Sequence, residues 1–289
     1  MKKQGKVCFM VVLAWLLTLT VAAQAEVYVE GFLGGNAASN LGRANFHQKE
    51  LPPPPTPSPP PPPNNNGEHT NGVLTSNIFL GNQGGVAPAM VFGGRVGTWF
   101  VPEGALGFNY PNWMKYFGFY TDVSYHRLDV TEESIRVRDF NDAGVFQGNF
   151  PGTFYSKGYA VTWAFMFAAR YGFLRNDKFT FGRVQPWVAV GPAILFTGMR
   201  PKATVYAGGN VGALASPGWQ SAVIPALVVD AGVRYMMFKN LSFDLSFRYR
   251  YAQPNFNFDF TDINGGSSNL NFKPVYNLFS GMAGLAYHF

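Results

Sequence analysis

Cysteine is almost missing from this chain of 289 residues: there is one, Cys8. It sits inside an N-terminal stretch laid out like an export signal, too early for a lipoprotein cysteine. Lys2, Lys3 and Lys6 form a positive head, Val7 to Val21 is an apolar run, and Ala23-Gln24-Ala25 is a small-x-small cleavage site. The alternative, an uncleaved anchor, fits less well, because the run is short for a spanning helix. Residues 1–25 are therefore expected to be removed. Residues 26–289 then hold no disulfide, thiol nucleophile or thiolate metal site.

Charge is scarce as well. Asp, Glu, Lys and Arg make up 13% of the chain, against about 25% in soluble domains. The signal stretch carries three of the 22 basic residues, which leaves 19 basic against 16 acidic, a balance of +3. With no basic run either, nucleic acid is not an expected partner. No other apolar stretch is long enough for a helical span. The four histidines, His47, His69, His126 and His288, are scattered without metal-ligand spacing, and there is no P-loop, dinucleotide fingerprint or GxSxG. No cofactor, metal or catalytic residue is expected.

Aromatic residues are abundant at 17%, and there are 33 glycines. Their arrangement is clearest in Leu241 to Tyr251, LSFDLSFRYRY. Leu241, Phe243, Leu245, Phe247, Tyr249 and Tyr251 alternate with Ser242, Asp244, Ser246, Arg248 and Arg250. A period of two makes this a β-strand with one apolar and one charged face. A soluble sandwich would bury the apolar face against a second sheet. A membrane barrel turns it to lipid and the charges to the lumen.

Eight such strands are expected: Val27–Gly35, Met90–Val101, Tyr116–Leu128, Tyr159–Phe173, Trp187–Thr197, Ala222–Met237, Leu241–Tyr251 and Pro274–Phe289. Their connections alternate between short (Pro102–Lys115, Leu174–Pro186, Lys239-Asn240) and long (36–89, 129–158, 198–221, 252–273). That predicts an all-β, eight-stranded antiparallel transmembrane barrel with short periplasmic turns and long outer loops. Pro192 and Pro225 fall inside strands, where a missing donor predicts a bulge and an uncertain register. Tyr110, Trp113 and Tyr116 cluster where an interfacial aromatic girdle would sit, although an ordinary buried cluster is equally compatible with the spacing. The first outer loop holds Pro52–Pro63, ten of twelve residues proline. It is either a stiff polyproline spacer for a surface partner or a tolerated insertion.

Phe289, Tyr287, Leu285, Ala283 and Phe279 share one face of the last strand. An aromatic C-terminus preceded by alternating apolar residues looks like the signal that barrel assembly machinery reads, with Leu285, Tyr287 and Phe289 as its residues. Together with Trp187-Val-Ala-Val-Gly-Pro-Ala, Asp230-Ala-Gly-Val-Arg-Tyr, Phe247-Arg-Tyr-Arg-Tyr and Ala286-Tyr-His-Phe289, it resembles the OmpA-like outer-membrane β-barrel superfamily. The resemblance spans 26–289 apart from the long first loop. It departs at Ser246, where the family often has a glutamate; here Asp244 lies two residues earlier. It covers the barrel alone, without the peptidoglycan-binding domain that some members carry. The resemblance implies a bacterial outer-membrane location, in contact with lipid and lipopolysaccharide.

Alternation sends Glu30, Arg95, Asp122, Arg170, Asp230, Arg234, Asp244, Arg248 and Arg250 inward. Four acids and five bases in a narrow lumen cost several kcal/mol each if unpaired, and arginine can bridge two carboxylates. An ionic network closing the lumen is expected, against the alternative that some of these groups sit solvated at strand ends. Asp122, Ser124 and His126 share a face, but same-face neighbours on one strand stand about 6.6–7 Å apart, too far for a catalytic triad. The expected role is structural, in envelope integrity or surface interaction. A narrow pore or transporter is the alternative, and an outer-membrane lipid-modifying enzyme the second.

Overall fold

The computed structural model describes residues 26–37, 48–50, 87–101, 110–140, 146–207, 210–215, 218–261 and 267–289. The signal stretch 1–25 and the proline tract 52–63 lie outside the described residues.

Eight strands form the wall: β1 (Glu26–Ala37), β2 (Ala89–Trp99), β3 (Phe117–Arg127), β4 (Phe146–Arg170), β5 (Val184–Ala207), β6 (Gln220–Phe238), β7 (Leu241–Ala252) and β8 (Tyr276–His288). Each pairs antiparallel with the next, and β8 returns to β1 through Tyr28↔His288 to Ala37↔Phe279. The sheet is thus a closed barrel. The register fixes its slant. Stepping from partner to partner around the wall runs Glu30, Arg95, Asp122, Ala164, Ala193, Ala226, Ala252, Tyr276. On β8 the partner of Glu30 itself is Ala286, ten residues from Tyr276. Such a stagger tilts the strands by roughly 35–45° and leaves an interior that side chains fill.

The faces are those the alternation gives. Leu245 and Phe247 of β7 point outward, as do Val123, Trp163, Phe167, Val190, Val233, Leu285 and Tyr287 from the other strands. In water this belt would be an aggregation hazard; in a bilayer it is the solvated surface. Inward glycines make room for large neighbours. A Cβ on Gly97 would stand 2.7 Å from the Tyr28 ring and from Cβ of Tyr120, and one on Gly232 2.8 Å from the Trp187 ring.

Two expectations change. The residues assigned to outer loops at 130–140, 146–158, 198–207, 210–215, 256–261 and 267–272 are strand. β4 has 25 residues and β5 24, so β4 reaches about 80 Å at the strand rise, far more than a bilayer requires. Their composition hides this: Phe146 to Gly158 is rich in glycine and polar residues and shows no clean alternation. Partners hold it extended, Val130–Phe140 along Phe146 to Ser156 and β5 from Gly152 onward. Second, Pro192 and Pro225 cause no bulge. The β5–β6 register runs unshifted through Pro192↔Leu227 and Ile194↔Pro225. Instead the β4–β5 ladder lapses opposite Pro192, between Ala164↔Ala193 and Phe167↔Val190, and resumes in the same register. Pro225 lies just past Ala226↔Ala252, where the β6–β7 ladder ends, so no rung is lost on that side. The register shift in that pair falls at Leu241/Ser242, beside the Lys239-Asn240 turn.

The periplasmic end is tied by short turns. Asn240 donates its amide to the His288 carbonyl at 2.8 Å, and Phe289 N–H donates to the Val27 carbonyl at 3.0 Å. Gly182 has φ +134°, and a Cβ there would meet the Phe173 carbonyl at 2.5 Å, so the turn between β4 and β5 needs glycine. The aromatic residues expected at this rim are there. Trp113 is exposed and edge-on to Phe117 at 5.9 Å, Tyr116 stacks on Tyr171 at 5.9 Å, and Tyr110 lies 5.2 Å from Phe100.

Candidate functional site: an ionic core inside the barrel

Alternation aims the charges inward, and the stagger sets their heights. Toward the periplasmic side of the core, Arg234 donates from Nε to Asp244 Oδ2 at 2.5 Å and from Nη2 to Glu30 Oε2 at 3.3 Å, with its guanidinium 4.3 Å from the Tyr28 ring centre. Trp187 Nε1 donates to the other Asp244 oxygen at 2.7 Å. Next outward is Arg95. It donates from Nη1 to Glu30 at 3.2 Å and from Nη2 to Asp230 at 3.4 Å, and its Nε lies 3.8 Å from Asp122. Its guanidinium is packed among the rings of Tyr120 at 4.3 Å, Trp187 at 5.1 Å and Phe32 at 5.5 Å. Above it, Arg248 grips two carboxylates: Asp230 through Nε at 2.8 Å and Nη2 at 2.7 Å, and Asp122 through Nη1 at 2.9 Å and also Nη2. Tyr120 Oη donates to Asp230 at 2.6 Å.

Seven of the nine inward charges thus form one cluster, each side chain 2% exposed or less. Two contacts join opposite walls. β2 and β6 are four strands apart around an eight-stranded ring, and Arg95–Asp230 joins them; β3 and β7 are likewise opposed, and Arg248–Asp122 joins those.

The other two expected members stand apart. Arg170 lies nearer the periplasmic rim, donating to Glu26 through both terminal nitrogens (Nη1 to Oε1 at 2.6 Å) and to Gln185 at 3.1 Å, between the rings of Trp99 and Phe181, each 4.1 Å away. Arg250 lies outward of Arg248 and, among the described residues, hydrogen-bonds only to the hydroxyls of Thr162 at 3.4 Å and Ser280 at 2.5 Å. Sequence reasoning missed Glu26, Tyr120, Trp187 and Tyr28. The parity of β1 and β3 contained three of them: 26, 28 and 30 share a face, as do 120 and 122. Glu26 was lost by starting the strand at Val27.

Asp122, Ser124 and His126 all point inward and do not act on one another. Asp122 is held by Arg248, Ser124 accepts weakly from Arg248 at 3.4 Å, and His126 Nδ1 is bonded to the Arg127 carbonyl at 3.0 Å. Leu285, Tyr287 and Phe289 face outward, each half-exposed, with the rings of Tyr287 and Phe289 edge-on at 5.1 Å.

A closed antiparallel barrel with an apolar outer belt and a buried charged interior is a transmembrane β-barrel of the bacterial outer-membrane kind. No protein-family model matches the sequence, and no curated protein matches it either. Solved structures do match. Neisserial surface protein A is 14% identical over 91% of this chain and 97% of its own, with a TM-score of 0.29. OprG from Pseudomonas aeruginosa is 10% identical over 93% and 98%, with a TM-score of 0.42. The outer membrane protease OmpT from Escherichia coli is 10% identical over 94% and 100%, with a TM-score of 0.28. The likeness is one of architecture and carries no role across. The chain is an outer-membrane β-barrel.

Proposed function

We propose that this protein is a non-conducting barrel with a structural role, in envelope integrity or surface contact, rather than an enzyme. The supporting observation is the pair of arginines, Arg95 and Arg248, that reach across the lumen to carboxylates on the facing wall. Packed against Tyr120, Trp187 and Phe32, they occupy the cross-section that ions would need. On this reading the outward belt contacts lipid and lipopolysaccharide, Leu285, Tyr287 and Phe289 are read by the assembly machinery, and the first loop with its proline tract meets a surface partner. The test is single-channel recording in a planar bilayer with protein comprising residues 26–289. Silence from the wild type, with current from the Arg248→Ala/Arg250→Ala variant, is the expected result; steady current from the wild type would overturn the reading.

A second reading, a transporter for small apolar solutes, has one observation in its favour. β6 pairs with β7 only as far as Ala226↔Ala252, although β6 begins at Gln220. A groove of about 710 Å³ lies there, running from the outward Phe167 and Leu227 to Ala226, Ala252 and Gln253. A route sideways from the outer half of the lumen into the membrane would pass it without crossing the ionic core. A disulfide between Pro225→Cys and Gln253→Cys that left uptake of an apolar dye into proteoliposomes unchanged would exclude it.

A further inference from the structure

Arg250 is 1% exposed and has no carboxylate within 4 Å among the described residues. Its neighbour two positions along β7, Arg248, has taken both Asp122 and Asp230. Arg250 spends Nη1 and Nη2 on two neutral hydroxyls, and its Nε–H makes no hydrogen bond. A buried cation held only by hydroxyls, beside a second cation, leaves its desolvation penalty largely uncompensated. The same cluster contains another orphaned donor. Ser280 accepts from Arg250 and donates its own hydroxyl to Asn36 Oδ1 at 2.9 Å, while Asn36 Nδ2, also buried, has no partner among the described residues. One hydroxyl thus links a guanidinium with a free N–H to an amide with free N–H groups. Donors from β1 and β7 are left without an acceptor, and the charge is positive. His126 Nε2 is a third buried nitrogen without a partner in this part of the lumen. With Nδ1 donating to the Arg127 carbonyl, the neutral ring carries its lone pair on Nε2, which is then not a donor. Further outward Leu195, Leu278 and Leu128 are all buried, as are Thr197 and Tyr276. A small ion enclosed there would be screened little by solvent.

We propose that the outer half of the lumen holds one small monovalent anion, a halide or the carboxylate of a short organic acid, on Arg250 and Asn36. The anion accepts from Arg250 Nε and from Asn36 Nδ2, and it supplies the negative charge that Arg248 leaves unavailable. The proposal does not depend on whether the barrel conducts, since the ionic core lies on the periplasmic side of this site.

The test is thermal melting of the refolded barrel in detergent at fixed ionic strength, with the sodium salt varied among chloride, bromide, acetate and the bulky gluconate. The wild type should melt higher in the small anions, with a saturating dependence on their concentration that gluconate does not reproduce. Chloride and bromide acting without acetate would identify a halide site; acetate acting at lower concentration than chloride would identify a carboxylate site. Arg250→Gln should abolish the dependence and Asn36→Ala should weaken it. A wild type indifferent to anion identity would overturn the proposal, as would an Arg250→Gln variant with the same anion dependence, which would mark a general salt effect. Should Arg250→Gln fail to fold, Asn36→Ala, which removes no charge, decides: an unchanged anion dependence there overturns the site.

Discussion

Replacing Arg248 by methionine keeps an unbranched apolar stem in its place and removes its charge and all its donors. Five hydrogen bonds disappear at once, two to Asp230, two to Asp122 and the weak one to Ser124. The two carboxylates fare differently. Asp230 keeps Tyr120 Oη at 2.6 Å and Arg95 Nη2 at 3.4 Å. Asp122 keeps only Arg95 Nε at 3.8 Å, an ion pair without a hydrogen bond, and is 2% exposed. Leaving one partner of a buried pair behind costs about 3–5 kcal/mol, which is roughly two to three and a half powers of ten in the folding equilibrium. The assay is urea unfolding of the refolded barrel in lipid, followed by tryptophan fluorescence and by the heat-dependent gel mobility of the folded form. Arg248→Met combined with Asp122→Asn removes the orphaned charge and should recover a large part of the loss. The reasoning is refuted if Arg248→Met stays within about 0.5 kcal/mol of the wild type, the range of a surface substitution. It is also refuted if the double variant is no more stable than the single one.

Tyr120→Phe removes one buried donor to a carboxylate and should cost about 1.5–3 kcal/mol in the same unfolding assay; no measurable change would mean that Asp230 is satisfied by its arginines alone. Gly97→Ala brings a methyl group to 2.7 Å from Cβ of Tyr120 and from the Tyr28 ring and should destabilise by about 1–3 kcal/mol through overpacking. Gly31→Ala, with nothing within 4 Å of the added carbon, serves as the control, and equal behaviour of the two variants would contradict the packing argument.

The eight strands and the in-or-out sense of their side chains were legible because the period of two is a local property. Where it is strong, as in β3, the lower part of β4, β7 and β8, the faces agree residue for residue. Where composition blurs it, as in Phe146 to Gly158, strand was taken for loop, since nothing local announces that a glycine-rich segment is held extended by partners from other parts of the chain. The prolines misled for a related reason. A missing donor breaks a rung only if that N–H faces a paired neighbour, and which neighbour remains paired at that height is set by the ladder ends.

By itself the sequence determined which charges enter the lumen. It could not determine who meets whom. A carboxylate on β3 finds an arginine on β7, 126 positions away, because ten residues of stagger around eight strands bring Asp122 and Arg248 close in height on opposite walls. The same stagger puts Arg170 too low for the cluster, beside Glu26, and lifts Arg250 just beyond reach of the acids. Height in a barrel is a sum over every register around the ring, and closure alone makes that sum a fixed quantity. Inward placement was therefore readable from alternation, whereas the pairing, and the one arginine left without a carboxylate, belong to the tertiary structure.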